Sequence, residues 1–443
     1  MINEDFSNLI PIFLILINII AIIYLISRNR FTSLYWSAVL MIFTGPTLSD
    51  KFLGMPYKAF EGMVGFSTPF SLEGINNAQI FALGHMIFTL VAYAVLFKFF
   101  PKKYQLHETL IPPVLWKKLF FQILLICFVA SSIIFLIYRG DLSRPFNDFL
   151  SGNVRSEYES YFFLASSPLS ALGYYLYPKK KSWKIFIGTA SVIVAYFIGI
   201  RYYMLPFIGY VVWYEVITSN VSTQKKIFKM TTLAIAAWVL VTAWGIIRGL
   251  DLRNNPLEIL NLDKTFLVDT MFVGNELPAR VSYYDLMGRL QRNWIPRRFG
   301  AIEATLLEIP YPFLTRTLGV WVPLSNSKLV YVLQTGIIGS GVSTGTTVFG
   351  NDYFTWGWLG MIIGGLSMGI ILYLFDSFYL EQGGAWMLIG PMATFQLVFF
   401  ARGGTDVWLG IWGRYLPISV ALLIFAKILS KFHEKKSNAY RNI

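Results

Sequence analysis

The 443-residue sequence predicts an all-α, polytopic membrane protein of about 11 transmembrane helices with one large loop subdomain, on three observations. Hydrophobic residues make up 55% of the chain and charged residues only 14%, against about 25% charge in a typical soluble domain. Aromatic residues reach 17%, with 38 Phe, 25 Tyr and 13 Trp, a composition suited to lipid and its headgroup zone. Apolar runs long enough to cross a hydrocarbon core of roughly 30 Å recur along the whole chain.

Those runs lie near 8–27, 32–48, 78–99, 119–138, 160–177, 185–200, 203–219, 230–247, 352–375, 385–400 and 407–427. The first is a span rather than a cleavable signal. Glu4 and Asp5 precede it where a basic segment should stand, and Arg28 and Arg30 follow it. The single cysteine, Cys127, excludes a disulfide framework and a CxxC pair. His85, His107 and His433 are far apart in sequence and form no HExxH-type cluster. Neither a P-loop nor a DxD-like metal signature is present, so no metal and no cofactor is expected.

Charge fixes the expected orientation. With the N-terminus outside, 16 of the 20 lysines fall on the inner side, as the positive-inside rule requires. The C-terminus is then inside, and the net charge of +13 reflects a lysine-rich face beside anionic lipid rather than a nucleic-acid site. Arginine behaves in the opposite way. Only Arg28, Arg30 and Arg441 of the 17 arginines fall inside. Arginine makes forked contacts with phosphate and carboxylate, so the outer face reads as a surface for an anionic ligand.

This pattern divides the chain into residues 1–247 with eight spans, an outer loop 248–351, and residues 352–443 with three spans and a tail. The loop carries Arg248, Arg280, Arg289 and Arg292 among its eight arginines, together with eight acids. A structureless loop of that length is improbable. Ile302, Leu306 and Ile309 have the spacing of an interfacial helix. Gly360/Gly364 and Gly365/Gly369 are two small-xxx-small pairs, which read as helix packing.

Ionisable groups in or against the hydrocarbon are functional hypotheses by default. Arg201 stands between two apolar runs, and Arg402 and Asp406 share the turn before the last one. Arg414 follows Asp406 by about two helical turns. Arg402 and Asp406 are the catalytic candidates, with Arg201, Arg248, Arg280, Arg289, Arg292 and Arg414 as binding candidates for a diphosphate or glycan. Asp352 and Asn351 are secondary candidates. His85, within the third run, reads as a helix–helix hydrogen bond.

The run Ser343-Thr-Gly-Thr-Thr-Val-Phe-Gly350-Asn-Asp-Tyr-Phe-Thr-Trp-Gly357-Trp-Leu-Gly360 resembles the late segment of bacterial O-antigen polymerases. Ala401-Arg402-x-Gly404-x-Asp406 is similar to a segment of the enterobacterial common antigen polymerase, and Gly199-Ile-Arg201 to that family's earlier Gly-x-Arg. The resemblance extends over residues 185–427, and the first 180 residues match by topology alone. It implies a GT-C-like glycosyltransferase in the bacterial inner membrane that acts on undecaprenyl-diphosphate-linked oligosaccharide. A chain-length regulator would be a partner. An O-antigen ligase or another lipid-linked glycosyltransferase is the alternative, and a lipid-linked oligosaccharide flippase a further one. The bottom-up reading agrees on chemistry. Fixed cations can stabilise a departing diphosphate, and a carboxylate can take the proton of an acceptor hydroxyl.

The orientation is directly testable. Reporters active only outside the inner membrane should work when fused near Asn293 and fail when fused after Lys436. The reverse pattern would overturn the orientation and the outer-face placement of the arginines.

Overall fold

The computed structural model describes residues 4–44, 72–101, 115–139, 221–249, 346–381, 400–403 and 420–433, with single positions at Ser182, Thr189, Val216, Ser219, Asn326 and Leu397. Every regular element among them is helical, and none is a strand. The elements are α1 (Glu4–Ser27), α2 (Ser33–Val39), α3 (Leu72–Phe99), α4 (Leu115–Arg139), α5 (Thr223–Gly249), α6 (Thr347–Trp356) and α7 (Gly360–Glu381). A π-helical turn, Leu40–Thr44, extends α2, and a 3-10 turn, Gly357–Leu359, joins α6 to α7. Residues 420–433 form a further helix, α8. The runs near 160–177, 185–200, 203–219 and 385–400 lie outside the described residues apart from single positions and the start of the 400–403 turn.

The helices follow the apolar runs closely. Leu9–Ser27, Glu73–Phe99 and Thr347–Ser377 are long and apolar enough to cross a membrane. α1 shows why. Ile10, Leu14, Asn18, Ala21 and Leu25 are buried at steps of three or four, while Ile12, Phe13, Leu16, Ile19, Ile20 and Ile23 are exposed. One stripe therefore packs inward, and the opposite face is as apolar as the inner one, which fits lipid and not water.

The run expected at 352–375 resolves into two helices. Gly357 breaks it with φ 61° and ψ −144°, a left-handed conformation that glycine alone adopts without strain. The chain then folds back. A side chain at Gly360 would strike the Asp352 carbonyl, and one at Gly364 would strike the Asp352 carboxylate. Residues 12 apart in a continuous helix would stand about 18 Å from each other, so α6 lies against the first turns of α7. Residues 347–351, counted above with the outer loop, are the first half of α6.

Chain contacts divide the protein into two compact units. The first comprises Met1–Lys102, Asn220–Ser377 and Gln396–Ile411. Within it α3 and α7 meet along a close seam. A Cβ at Gly365 would lie 2.7 Å from the His85 carbonyl oxygen, and one at Gly369 would lie 2.5 Å from that of Thr89. The order His85, Thr89 against Gly365, Gly369 makes the two helices parallel, a parity that the five expected intervening spans satisfy.

At the far end of this seam Asp376, 1% exposed, gathers four donors. The backbone N–H groups of Phe31 (2.9 Å) and Thr32 (3.2 Å), the Thr32 hydroxyl (2.7 Å) and the Tyr93 hydroxyl (2.6 Å) all bond its carboxylate. Arg30, itself buried, acts on it electrostatically and stacks 4.2 Å from the Phe97 ring centroid. One buried carboxylate thus ties α7 to α3 and to the turn that starts α2. Tyr373 adds a bond to the Phe100 carbonyl past the end of α3 (2.7 Å). The Lys226 ammonium bonds the Asn29 side-chain oxygen, fixing the start of α5 beside the same turn. Burial pushes that lysine's pKa down.

The second unit comprises Lys103–Ser219, Phe378–Phe395 and Trp412–Ile443. Within it Lys427 of α8 lies 5.3 Å from the centre of the Trp116 ring on α4, a cation–π contact between two helices.

Asp376→Ala leaves three N–H or O–H partners buried without their acceptor, beyond the freed Tyr93 hydroxyl. It should lower stability by about 3–5 kcal/mol, read as loss of the cooperative thermal transition of detergent-purified protein. Asp376→Asn keeps one acceptor oxygen and should fall between Asp376→Ala and the parent. An Asp376→Ala protein as stable as the parent would refute this role.

Candidate functional site

α3 carries His85 on the face that meets α6 and α7, and no part of it is exposed. Phe81 lies one turn before it with ring centres 6.4 Å apart, and Thr89 one turn after it. The Thr89 hydroxyl donates to the His85 carbonyl (2.8 Å) and lies 3.4 Å from the imidazole Nδ1. Toward α6, Nε2 stands 2.8 Å from Oδ2 of Asp352. Phe349 closes the third side, its ring edge-on to the imidazole at 5.2 Å, and Phe43 packs behind it at 4.9 Å. The imidazole is therefore held in one orientation by aromatic walls and by bonds at both nitrogens.

α6 is the reason Asp352 reaches this position. The helix is only 10 residues long, and Thr347 to Thr355 are all buried. Thr347 starts it with φ 57°, a strained backbone for a β-branched residue. Its hydroxyl accepts the Gly350 N–H (3.2 Å), which caps the first turn. Asn351 and Thr355 occupy one side of α6, where the Asn326 amide donates to the Asn351 oxygen (2.8 Å) and to the Thr355 hydroxyl (3.0 Å). The Thr355 hydroxyl donates in turn to the Asn351 carbonyl (2.8 Å). Asn351 also sits 3.4 Å from Oδ1 of Asp352 through its amide nitrogen. Phe81, Tyr353 and Trp358 form an aromatic cluster at the break, with ring centres 5.6–6.2 Å apart.

A carboxylate and an imidazole at hydrogen-bond distance can hold a proton on either partner. When Nε2 carries it, Asp352 is a carboxylate that accepts from the ring. When Asp352 carries it, Nε2 accepts and Nδ1 presents its hydrogen toward Thr89. The pair can thus take up or give back a proton with little movement, which is the requirement for acid–base chemistry. Among the described residues no three His, Cys, Asp or Glu side chains are grouped as a metal would need.

Of the residues singled out from sequence, the structure brings Asp352 and Asn351 together with His85. His85 makes the helix–helix hydrogen bond expected of it, and the partner is one of the secondary candidates. Arg402 is half-buried on the helical turn 400–403. The next residue, Gly403, accepts the Thr346 hydroxyl at 3.4 Å, so the Arg402 turn is fastened to the start of α6. Phe400 on the same turn packs edge-on against Phe375 of α7 at 6.4 Å. Arg248 belongs to the last turn of α5. Arg201, Arg280, Arg289, Arg292, Asp406 and Arg414 lie outside the described residues. Asn326 and Thr89 join the neighbourhood without having been singled out, because an isolated uncharged polar residue carries no distinctive spacing. Asp376 did carry a signal, as an acid at the very end of an apolar run.

Comparison of the chain with protein-family models, curated proteins and solved structures finds no match.

The site depends on Gly364 having no side chain. Gly364→Ala should push the Asp352 carboxylate off His85 and lower the thermal midpoint. The same change in an Asp352→Ala background should cost much less, because the obstacle is gone. Equal costs in both backgrounds would place the strain elsewhere.

Proposed function

We propose that this chain is an O-antigen-type polysaccharide polymerase. It transfers a growing glycan from undecaprenyl diphosphate to the incoming lipid-linked repeat unit, at the periplasmic face of the bacterial inner membrane. The observation that carries this reading is the buried His85–Asp352 pair. It stands on the broken helix inside the very segment that resembles the polymerases, with the Arg402 turn fastened to the start of that helix. Helices long and apolar enough to cross a membrane suit a substrate whose reactive diphosphate is anchored in lipid.

In this reaction a hydroxyl oxygen of the incoming unit bonds to the anomeric carbon of the growing chain. The bond from that carbon to the diphosphate oxygen breaks, and its electron pair leaves with the diphosphate. The hydroxyl proton passes to a base. Asp352 supplies that base in this reading, and His85 orients its carboxylate and shares the proton. Asp406, four residues after Arg402 in the sequence, is the other carboxylate candidate. Arg402, Arg201 and Arg414 offset the charge that develops on the leaving diphosphate, which fixed cations do without reorganisation. Arg248 at the end of α5, with Arg280, Arg289 and Arg292 of the segment that follows it, holds the glycan. The bilayer supplies the lipid-linked partner, and a chain-length regulator would act on the same face; no nucleic acid enters this reading.

A transporter is the second reading, and a specific observation favours it. Discontinuous helices and buried ionisable groups within a span are features of membrane transport sites, and the α6–α7 break beside His85–Asp352 has both.

Proteoliposomes holding the purified chain and lipid-linked repeat units separate these readings. The parent should build polymer, and Asp352→Asn should lose about 100-fold or more of that activity. Arg402→Lys keeps charge but not the planar fork, and should lose activity at normal protein level. Normal turnover in Asp352→Asn with loss in Asp406→Asn would move the base to Asp406. Movement of repeat units across the bilayer without polymer would identify a transporter.

A further inference from the structure

α5 turns one side to the protein and the other away from it. Lys226 and Met230, one turn apart, are buried, and the Lys226 ammonium bonds the Asn29 side chain just past the end of α1. The outward side carries Lys225, Phe228, Lys229, Thr232, Ile235 and Val239, all exposed and all on one helical stripe. That stripe changes character along its length. Lys225 and Lys229 stand one turn apart, near enough for both ammonium groups to reach one anion. Phe228 lies between them, 73% exposed. Thr232 spends its hydroxyl on the Phe228 carbonyl of its own helix (2.9 Å). Beyond it Ile235 and Val239 are 54% and 51% exposed. From Lys229 to Val239 the helix rises about 15 Å, half of a hydrocarbon core of roughly 30 Å. The sequence supplies no acid for these lysines: none occurs from Val216 to Leu250, or from Phe6 to Ser49, the stretch to which Asn29 belongs. Arg28, the residue before Asn29, is exposed as well and adds a third cation.

We propose that this stripe holds one anionic phospholipid, with its phosphate between Lys225 and Lys229 and an acyl chain along Phe228, Ile235 and Val239. The order of the two chemistries on one helix selects this occupant. A soluble anion would use the lysines and leave the apolar half of the stripe without a role. A zwitterionic lipid would cover the apolar half and offset little of the charge. The Lys226–Asn29 bond fixes which side of α5 faces inward, so the fold itself presents the stripe. The site is independent of whether the chain is a polymerase or a transporter.

Lipid titrations of the full-length chain in detergent test this, read by native mass spectrometry and by the thermal midpoint. Phosphatidylglycerol should bind and raise the midpoint, and phosphatidylcholine at equal concentration should do so far less. Lys225→Gln/Lys229→Gln should weaken phosphatidylglycerol binding about 30-fold, on the ordinary strength of a lysine beside anionic lipid. Lys225→Arg/Lys229→Arg should keep the affinity, and so should Lys431→Gln, which removes an exposed lysine of α8. Ile235→Ser leaves every charge in place and should still weaken binding severalfold. Should the double glutamine variant fail to fold, Lys229→Gln alone replaces it, with an expected loss of about fivefold. Equal binding of the two lipids, or parent-like affinity in the glutamine variant or in Ile235→Ser, would overturn the proposal. So would the same rise in midpoint from inorganic phosphate, which would make this a site for a soluble anion.

Discussion

The described part of the first unit depends on how closely α3 and α7 approach. Gly365 and Gly369 bring the α7 backbone against the carbonyls of His85 and Thr89, an approach no residue with a Cβ permits. Asp376 of α7 reaches Tyr93 across this seam toward its end, and Asp352 of α6 reaches His85 beside its first part. The two glycine pairs of α7 divide the work. Gly365 and Gly369 face α3, while Gly360 and Gly364 face α6. α7 therefore holds one helix by each pair, and His85 meets Asp352 where the three converge. In lipid, where apolar contact with a neighbour gains little over contact with acyl chains, close backbone packing is a main source of helix association.

Two acids on one helical hairpin have opposite surroundings. Asp376 is closed, with four donors and the nearby Arg30. Every lone pair has a use, and its chemistry is spent on holding three segments together. Asp352 is bonded strongly at one oxygen and weakly at the other, beside an imidazole that can exchange its proton. A strained Thr347, a capped first turn and the Gly357 break are all devoted to placing it. Fixed structure at one carboxylate and open valence at the other is the arrangement expected when one serves architecture and the other chemistry.

Much of the fold was legible because its cause is local. The runs at 8–27, 78–99, 119–138 and 230–247 became helices since 20 apolar residues in lipid have few other ways to satisfy their backbone groups. The small-xxx-small pairs announced close packing, though not that the two pairs serve different neighbours. The break at Gly357 was hidden, because a glycine among apolar residues is equally at home within a span. The site was legible in part. His85, Asp352 and Asn351 each stood out as polar groups in or beside apolar runs, but their meeting was not readable, since 267 positions separate His85 from Asp352. Asn326 gave no sign, for its role arises only from tertiary contact.

The claim at the centre is that the glycine seam, and not any local preference of α3 or α6, holds His85 against Asp352. Solid-state NMR of 15N-histidine protein in lipid bilayers tests it, with the His85 resonance assigned by its loss in His85→Gln. The account predicts that Gly369→Leu, which touches neither residue, moves the His85 Nε2 resonance in the same direction as Asp352→Asn. A folded Gly369→Leu protein whose His85 resonance is that of the parent would contradict it.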